Sequence, residues 1–414
     1  MKFLKDNINA VPLQDNVFAV SKKAAEAALL YGNDQVVNAT IGSLYTEDEI
    51  IAAFDSVYDV YDTIDNQTKA RYADTITGSV EFKDNVYAWV TGKTKLDLAH
   101  RVVATPGGTG AIALVMMNIL NEKMQVLLPD LAWSSYQLMA KNNHLVTTLY
   151  EMFDQDHFNL TSFKDNASKI MDQQGKLMVV INDPAHNPSG YTMSLKEWEE
   201  VIKTINELSN KGPCIIVNDI AYIDYCVDVD QARDYMNVFN QISDNVVVVL
   251  AFSCSKTLTS YGMRLGAAIL LAKSDQLIKS MYDSFENSAR AIWSNVNNSW
   301  MENFTKVIAT NAEPFIEEKQ RYIDILKERS KTFIDEARSC NLDFYPYHEG
   351  FFITLKITDP ELLNAYHQAL MKENIFTVKL TKGIRIAICS VPLVKVKGLA
   401  LKMKEIYDKT KKND

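Results

Sequence analysis

The chain has 414 residues, of which 47% are hydrophobic, 23% charged and 10% aromatic, which excludes collagen-like and disordered classes and allows two or three packed units. Its 43 Lys and Arg against 52 Asp and Glu give a net charge of −9, so a polyanion such as DNA gains little from its field and nucleic acid is not an expected partner. The five cysteines, Cys214, Cys226, Cys254, Cys340 and Cys389, are spread without a C-x-x-C pair and read as buried small apolar residues, not as a disulfide framework or a zinc site.

From the N-terminus, Met1-Lys-Phe-Leu-Lys-Asp-Asn7 has no apolar run of the length a secretory signal needs. The apolar runs at 246–252 and 265–272 are too short to cross a bilayer, so a cytoplasmic location without a membrane partner is expected. The sequons at Asn159 and Asn303 are then chance matches. Runs of consecutive apolar residues begin at Arg101, Gln125, Leu177, Cys214, Val246 and Leu265. Consecutive burial marks strands covered on both faces, and amphipathic stretches between them, such as 194–208, fit crossover helices. The expectation is an α/β fold with a mostly parallel central sheet flanked by helices. Beyond about residue 296 the pattern changes to a long charged amphipathic stretch over 313–337, then short strands at 350–357 and 383–388, a smaller α+β unit. Lys409-Thr-Lys-Lys-Asn-Asp414 reads as a frayed tail.

Ligands of open α/β sheets bind at the carboxyl ends of the strands, so the turns there carry the chemistry. The first run leads into Thr105-Pro-Gly-Gly-Thr-Gly-Ala111, where glycines at a helix N-terminus let backbone N–H groups approach a phosphate, or simply serve the turn. The Leu177 run leads into Asn182-Asp-Pro-Ala-His-Asn-Pro-Ser-Gly190, which carries His186. The Cys214 run ends in Asn218-Asp219-Ile-Ala-Tyr222, in which Asp219 taken alone reads equally as a helix cap. The Val246 run is followed by Ser253-Cys-Ser-Lys256 and, after more hydroxyls, Arg264. A lysine between two buried strands and close to another cation has a lowered pKa, which suits Schiff-base chemistry. Metal catalysis has no support, since the six histidines show no H-E-x-x-H or similar spacing.

In this order and spacing the chain resembles the class I aminotransferases that use pyridoxal phosphate, over nearly its whole length. Asn187-Pro-Ser-Gly190 is similar to the family turn N-P-S/T-G, Asp219-x-Ala-Tyr222 to D-x-A-Y, and Ser253-x-Ser-Lys256 with Arg264 to S-x-S-K…R. The resemblance implies the fold type I architecture, with a large cofactor-binding domain at 49–322 and an N-terminal arm plus small domain at 1–48 and 323–414. It implies that Lys256 holds the cofactor as an internal aldimine and shuttles a proton, that Asp219 pairs with the pyridine nitrogen, and that Asn187 and Tyr222 bond the ring oxygen. By the same resemblance Trp133 would stack on the ring, and Gly108, Thr109, Ser253 and Arg264 would hold the phosphate. The resemblance also implies that Arg385 grips the substrate carboxylate, with Gly42 and Phe352 beside it. Tyr72 would reach the phosphate, and Arg290 a distal substrate carboxylate, from the neighbouring subunit of a homodimer. The segment around Arg290, Ala289-Arg-Ala-Ile-Trp-Ser-Asn295, is similar to that of the aspartate and aromatic aminotransferases, although Val296-Asn-Asn-Ser replaces its proline-containing turn and Gly107 stands where serine is common. The implied activity is amino transfer between an L-amino acid and a 2-oxo acid, glutamate with aspartate or an aromatic amino acid. The alternative on the same scaffold is a C–S β-lyase, because the cofactor supplies the electron sink and the pocket decides which bond breaks.

Overall fold

The computed structural model describes residues 3, 4, 8, 10–12 and 16–413; the rest of the expected N-terminal arm, and Asp414, lie outside them. The six apolar runs form strands β1 (Ala99–Thr105), β2 (Gln125–Pro129), β4 (Leu177–Asn182), β5 (Cys214–Asp219), β6 (Val246–Ser253) and β7 (Gly266–Ala272), and β3 (Val146–Tyr150) completes a seven-stranded sheet. Its order is β1-β7-β6-β5-β4-β2-β3. All pairings are parallel except those of β7, which runs antiparallel to both β1 and β6. Successive residues of one strand enter opposite cores: Val248 and Leu250 pack on one face, Val247 and Val249 on the other. That two-sided burial is why these strands read as unbroken apolar runs. Strand β3 was not expected, because as an edge strand it keeps only Tyr150 buried and lacks the run.

The helices that bear on the site are α1 (Asn16–Tyr31), α2 (Gly107–Ile119), α3 (Ser135–Asn142), α4 (Leu195–Ser209), α5 (Asp275–Ile292), α6 (Ala312–Ser339) and α7 (Leu399–Asn413). Helix α4 illustrates the crossovers. Ser194 and Glu197 form a reciprocal capping box at its start, and Trp198, Val201, Ile202, Ile205 and Leu208 lay one apolar stripe on the sheet. In the C-terminal part, β8 (Phe352–Lys356), β9 (Val378–Lys379) and β10 (Gly383–Ala387) form a small antiparallel sheet with β10 in the middle. Helix α6 contributes Phe315, Ile323 and Leu326 to a core of the large sheet and Phe333, Ile334 and Ala337 to that of the small one. The lysine-rich end is not a frayed tail: α7 runs through it to Asn413, anchored by Ala400, Met403 and Ile406. Four cysteines are buried as expected, while Cys340 is half-buried. Asn159 caps a helix by accepting from the Ser162 N–H, and Asn303 is fully buried, so both sequon asparagines are structural. No helix among the described residues is long and apolar enough to cross a membrane.

Because β7 is antiparallel, it begins at the edge where β1 and β6 end. Gly266 makes this possible: a Cβ there would lie 2.5 Å from both the Gly107 carbonyl carbon and the Phe252 oxygen. The turn before β7, with Arg264, is thereby drawn onto the carboxyl ends of β1 and β6.

Candidate active site

At that edge lies a cavity of about 580 Å³, lined by residues from the start of α2 and the ends of β4, β5 and β6 together with Gly42, Phe352 and Arg385. One end is built for an anion. Helix α2 starts at Gly107, whose φ of +73° favours glycine, and Gly108 and Thr109 follow at the helix N-terminus. Arg264 spreads its guanidinium over the same spot, donating from Nη1 to Ser255 Oγ at 2.9 Å and to the Tyr261 carbonyl at 2.7 Å. A Cβ on Gly107 would sit 2.6 Å from Arg264 Nη2, so the bare glycine leaves room for the cation beside the helix end. Ser253, the last residue of β6, adds a hydroxyl to the lining.

The middle of the cavity is polar and tightly cross-linked. Asn182 at the end of β4 accepts from the Asn187 N–H at 2.7 Å and donates to the Asp219 carbonyl at 2.8 Å, fixing two turns to each other. Asn187 in turn donates to Tyr222 Oη at 3.5 Å and accepts from Arg385 Nη1 at 3.4 Å. Arg385, carried by β10, lies with its guanidinium 4.5 Å over the Phe352 ring and gives Nη2 to the Thr40 carbonyl at 2.6 Å. Gly42 closes over this ring, since a Cβ there would meet Phe352 Cζ at 2.8 Å. His186 belongs to the turn but not to the cavity lining; its Nδ1 pairs with Ser189 Oγ at 2.8 Å.

Two ionisable groups face each other across the floor. Burial pushes the Asp219 carboxyl up to about 6 against the opposing pull of Tyr136, the Ala221 N–H and Lys256. Burial also pulls the Lys256 amine down to about 8, with Arg385 and Arg264 adding to the fall against Cys389. The amine donates to the Gly42 carbonyl at 2.6 Å. A neutral amine is thus within reach near neutral pH, as the sequence position between buried strands implies.

Of the residues singled out in the sequence, Gly108, Thr109, Trp133, Asn187, Asp219, Tyr222, Ser253, Lys256, Arg264, Gly42, Phe352 and Arg385 all line this one cavity. Tyr72 and Arg290 do not. Tyr72 is 82% exposed, and Arg290, in the last turn of α5, donates to Ser294 Oγ on the surface. Sequence reasoning missed Asn182 and Ser255, which lie inside the quoted turns, Tyr261, which lies between Lys256 and Arg264, and Tyr136, whose partner is 83 positions away. Val17 and Phe18 of α1 also line the cavity.

An α/β chain with a buried amine of lowered pKa, a buried carboxylate, an arginine beside a helix N-terminus and a second, buried arginine in one cavity has the make-up of an aminotransferase. Comparison with known proteins agrees: the profile of the family described as aminotransferase class I and II matches residues 35–401, and the chain belongs to that family. Its enzymes are pyridoxal-phosphate-dependent transferases of fold type I. The chain is similar to a crystal structure of an aminotransferase from Anaerococcus prevotii, with 30% identity, a TM-score of 0.95 and coverage of 98% of this chain and 99% of that one. A structure titled aromatic-amino-acid aminotransferase from Burkholderia pseudomallei, covalently bound to pyridoxal phosphate, superposes over 98% of this chain and 100% of that one with a TM-score of 0.79 at 17% identity. The aspartate aminotransferase of Salmonella typhi is 23% identical over 237 residues, which span 56% of this chain and 58% of that enzyme's length.

The residues present fit pyridoxal phosphate. The helix N-terminus at Gly107, where only a bare glycine leaves room for the Arg264 guanidinium, suits a phosphate, and the lowered Lys256 amine and buried Asp219 suit an aldehyde and a basic ring nitrogen.

Proposed function

We propose that this chain is a cytoplasmic, homodimeric transaminase that moves an amino group between an L-amino acid and a 2-oxo acid. Glutamate and 2-oxoglutarate form one substrate pair, and aspartate or an aromatic amino acid the other. The observation that carries this reading is the convergence of Lys256, Asp219, Arg264 and Arg385 on one cavity of about 580 Å³. When bound, pyridoxal phosphate supplies an electron sink for a carbanion at the substrate α-carbon. Lys256 Nζ would hold the cofactor and move the proton at that carbon, and its pKa, lowered to about 8, leaves part of it neutral at pH 7. Asp219 would offer its negative charge to the ring nitrogen, Asn187 and Tyr222 would hydrogen-bond the ring oxygen, and Trp133 would supply an aromatic surface for the ring. Gly108, Thr109, Ser253 and Arg264 would hold the phosphate. Arg385 takes the α-carboxylate with its planar fork, which Phe352 supports from below and Gly42 borders.

The exposure of Tyr72 and the surface position of Arg290 support their acting on a second copy of the chain. Tyr72 of the partner subunit completes the phosphate site, and Arg290 of the partner subunit meets the distal carboxylate of a dicarboxylic substrate. The division that fits these roles has residues 49–322 as the cofactor-binding unit and 1–48 with 323–414 as the second, which supplies Gly42, Phe352 and Arg385.

A half-reaction tests the reading. Protein loaded with pyridoxal phosphate, given single amino acids, should lose the visible absorbance of the aldehyde form with glutamate and with aspartate or tyrosine, and regain it with 2-oxoglutarate. Release of pyruvate from cysteine or cystathionine without that loss would replace transamination by a β-lyase activity.

A further inference from the structure

Tyr136 is 1% exposed in helix α3, and its phenol donates to Asp219 Oδ2 at 2.5 Å. The other oxygen, Oδ1, accepts from the Ala221 N–H at 3.1 Å. Both donors are neutral. The remaining titratable groups that face Asp219 are Tyr222, on the segment after β5, and Lys256, after β6. Lys256 gives its amine to the Gly42 carbonyl, so no cation forms a hydrogen bond with the carboxylate among the described residues. The same Tyr136 ring meets Trp133 edge-on, with centroids 5.4 Å apart at 83°. One side chain therefore touches both the carboxylate at the floor of the cavity and the indole that lines its wall.

A neutral donor satisfies a buried carboxylate without cancelling its charge. Burial holds the Tyr136 phenol well above its ordinary range, so it donates throughout the pH range in which proteins function. We propose that Tyr136 is a positioning residue of this active site: it fixes Asp219 as an uncompensated anion directed at a ligand cation, and keeps Trp133 in register with it. The inference rests on the transaminase reading only in naming that cation as the protonated ring nitrogen of pyridoxal phosphate. Without the phenol, Asp219 is a stronger base and draws the shared proton from the nitrogen to itself.

The test compares the holoprotein with Tyr136→Phe, which keeps the ring, and Tyr136→His, which restores a donor. With pyridoxal phosphate isotope-labelled at the ring nitrogen, the wild-type resonance sits at the protonated position at neutral pH. Tyr136→Phe moves it toward the unprotonated position and Tyr136→His moves it back. Loss of one hydrogen bond to a charged group corresponds to about a ten- to hundredfold change in proton affinity. In the cofactor-free protein, the labelled Asp219 carboxyl titrates near 6, and its midpoint rises by about one to two pH units in Tyr136→Phe. An unchanged resonance and midpoint in Tyr136→Phe would overturn the proposal. So would equal shifts in the two variants, which would reduce the tyrosine to packing. Should wild type fail to bind pyridoxal phosphate, the functional reading falls, and the carboxyl titration still decides the role of Tyr136.

Discussion

Asp219 and Asp224 lie five positions apart, both buried, and the surroundings give them opposite properties. Asp224 is surrounded by charge and donors. Arg233 Nη2 lies 2.7 Å and Lys319 Nζ 3.3 Å from Oδ1, while Trp89 Nε1 and Thr257 Oγ1 donate to Oδ2 at 3.0 and 2.7 Å. Burial alone would raise its pKa, but Lys319 and Arg233 outweigh that and hold it well below the usual carboxylate range. Asp219 has only neutral hydrogen-bond donors and is pushed up to about 6. The first aspartate is satisfied by the fold itself. The second is left short of positive charge at the wall of a cavity, which is the condition of a group that waits for a ligand. Because Thr257 follows Lys256, and Tyr225 next to Asp224 donates to the Lys256 carbonyl at 2.9 Å, the satisfied aspartate also steadies the backbone that carries Lys256.

The contrast is sharpest in turnover. Asp219→Ala should lower kcat at least about a thousandfold, or about 4 kcal/mol of barrier, with folding intact by circular dichroism. A variant within tenfold of wild type would erase the distinction. Asp224→Asn should instead strike stability, by about 3 to 5 kcal/mol in urea unfolding, because it leaves two buried cations without their anion. The pH dependence of the cofactor-free protein separates the pair by sign. Asp219 binds its proton more tightly folded than unfolded, so its stabilising contribution is full below the unfolded pKa near 3.8 and is lost as pH rises through about 6, a change of about 3 kcal/mol. Asp224, depressed in the fold, contributes above its unfolded pKa and loses that contribution only as pH falls through its folded value. Urea midpoints between pH 4 and 7 should therefore fall in wild type relative to Asp219→Asn, and parallel curves would refute the assignment. The smallest expected effect is that of Thr257→Val, about 1 kcal/mol of stability for one of several donors to Asp224, measured by the same unfolding.

Much of this was legible in the sequence for a physical reason. Strands buried on both faces are unbroken apolar runs, and the polar turns that end them stand out against that background, which exposes Asn187, Asp219, Lys256 and Arg264. Tyr136 stands out from nothing. It sits in a short helix of mixed composition, and its role exists only through a contact to a residue 83 positions on. The edge strand Val146–Tyr150 escaped for the converse reason, since one exposed face breaks the run. Tyr72 and Arg290 carry motifs in the sequence yet lie on the surface of the chain and outside the cavity lining, so the fold of one chain gives them no role in it.

Helix α6 acts as a common axle for the molecule. Its 28 residues begin in one core of the large sheet and end in that of the small sheet, and at its middle the fully buried Arg329 clasps the Tyr45 and Cys389 carbonyls. Neither half can melt while the axle keeps its shape, so heat should take the two cores apart in one calorimetric peak instead of two.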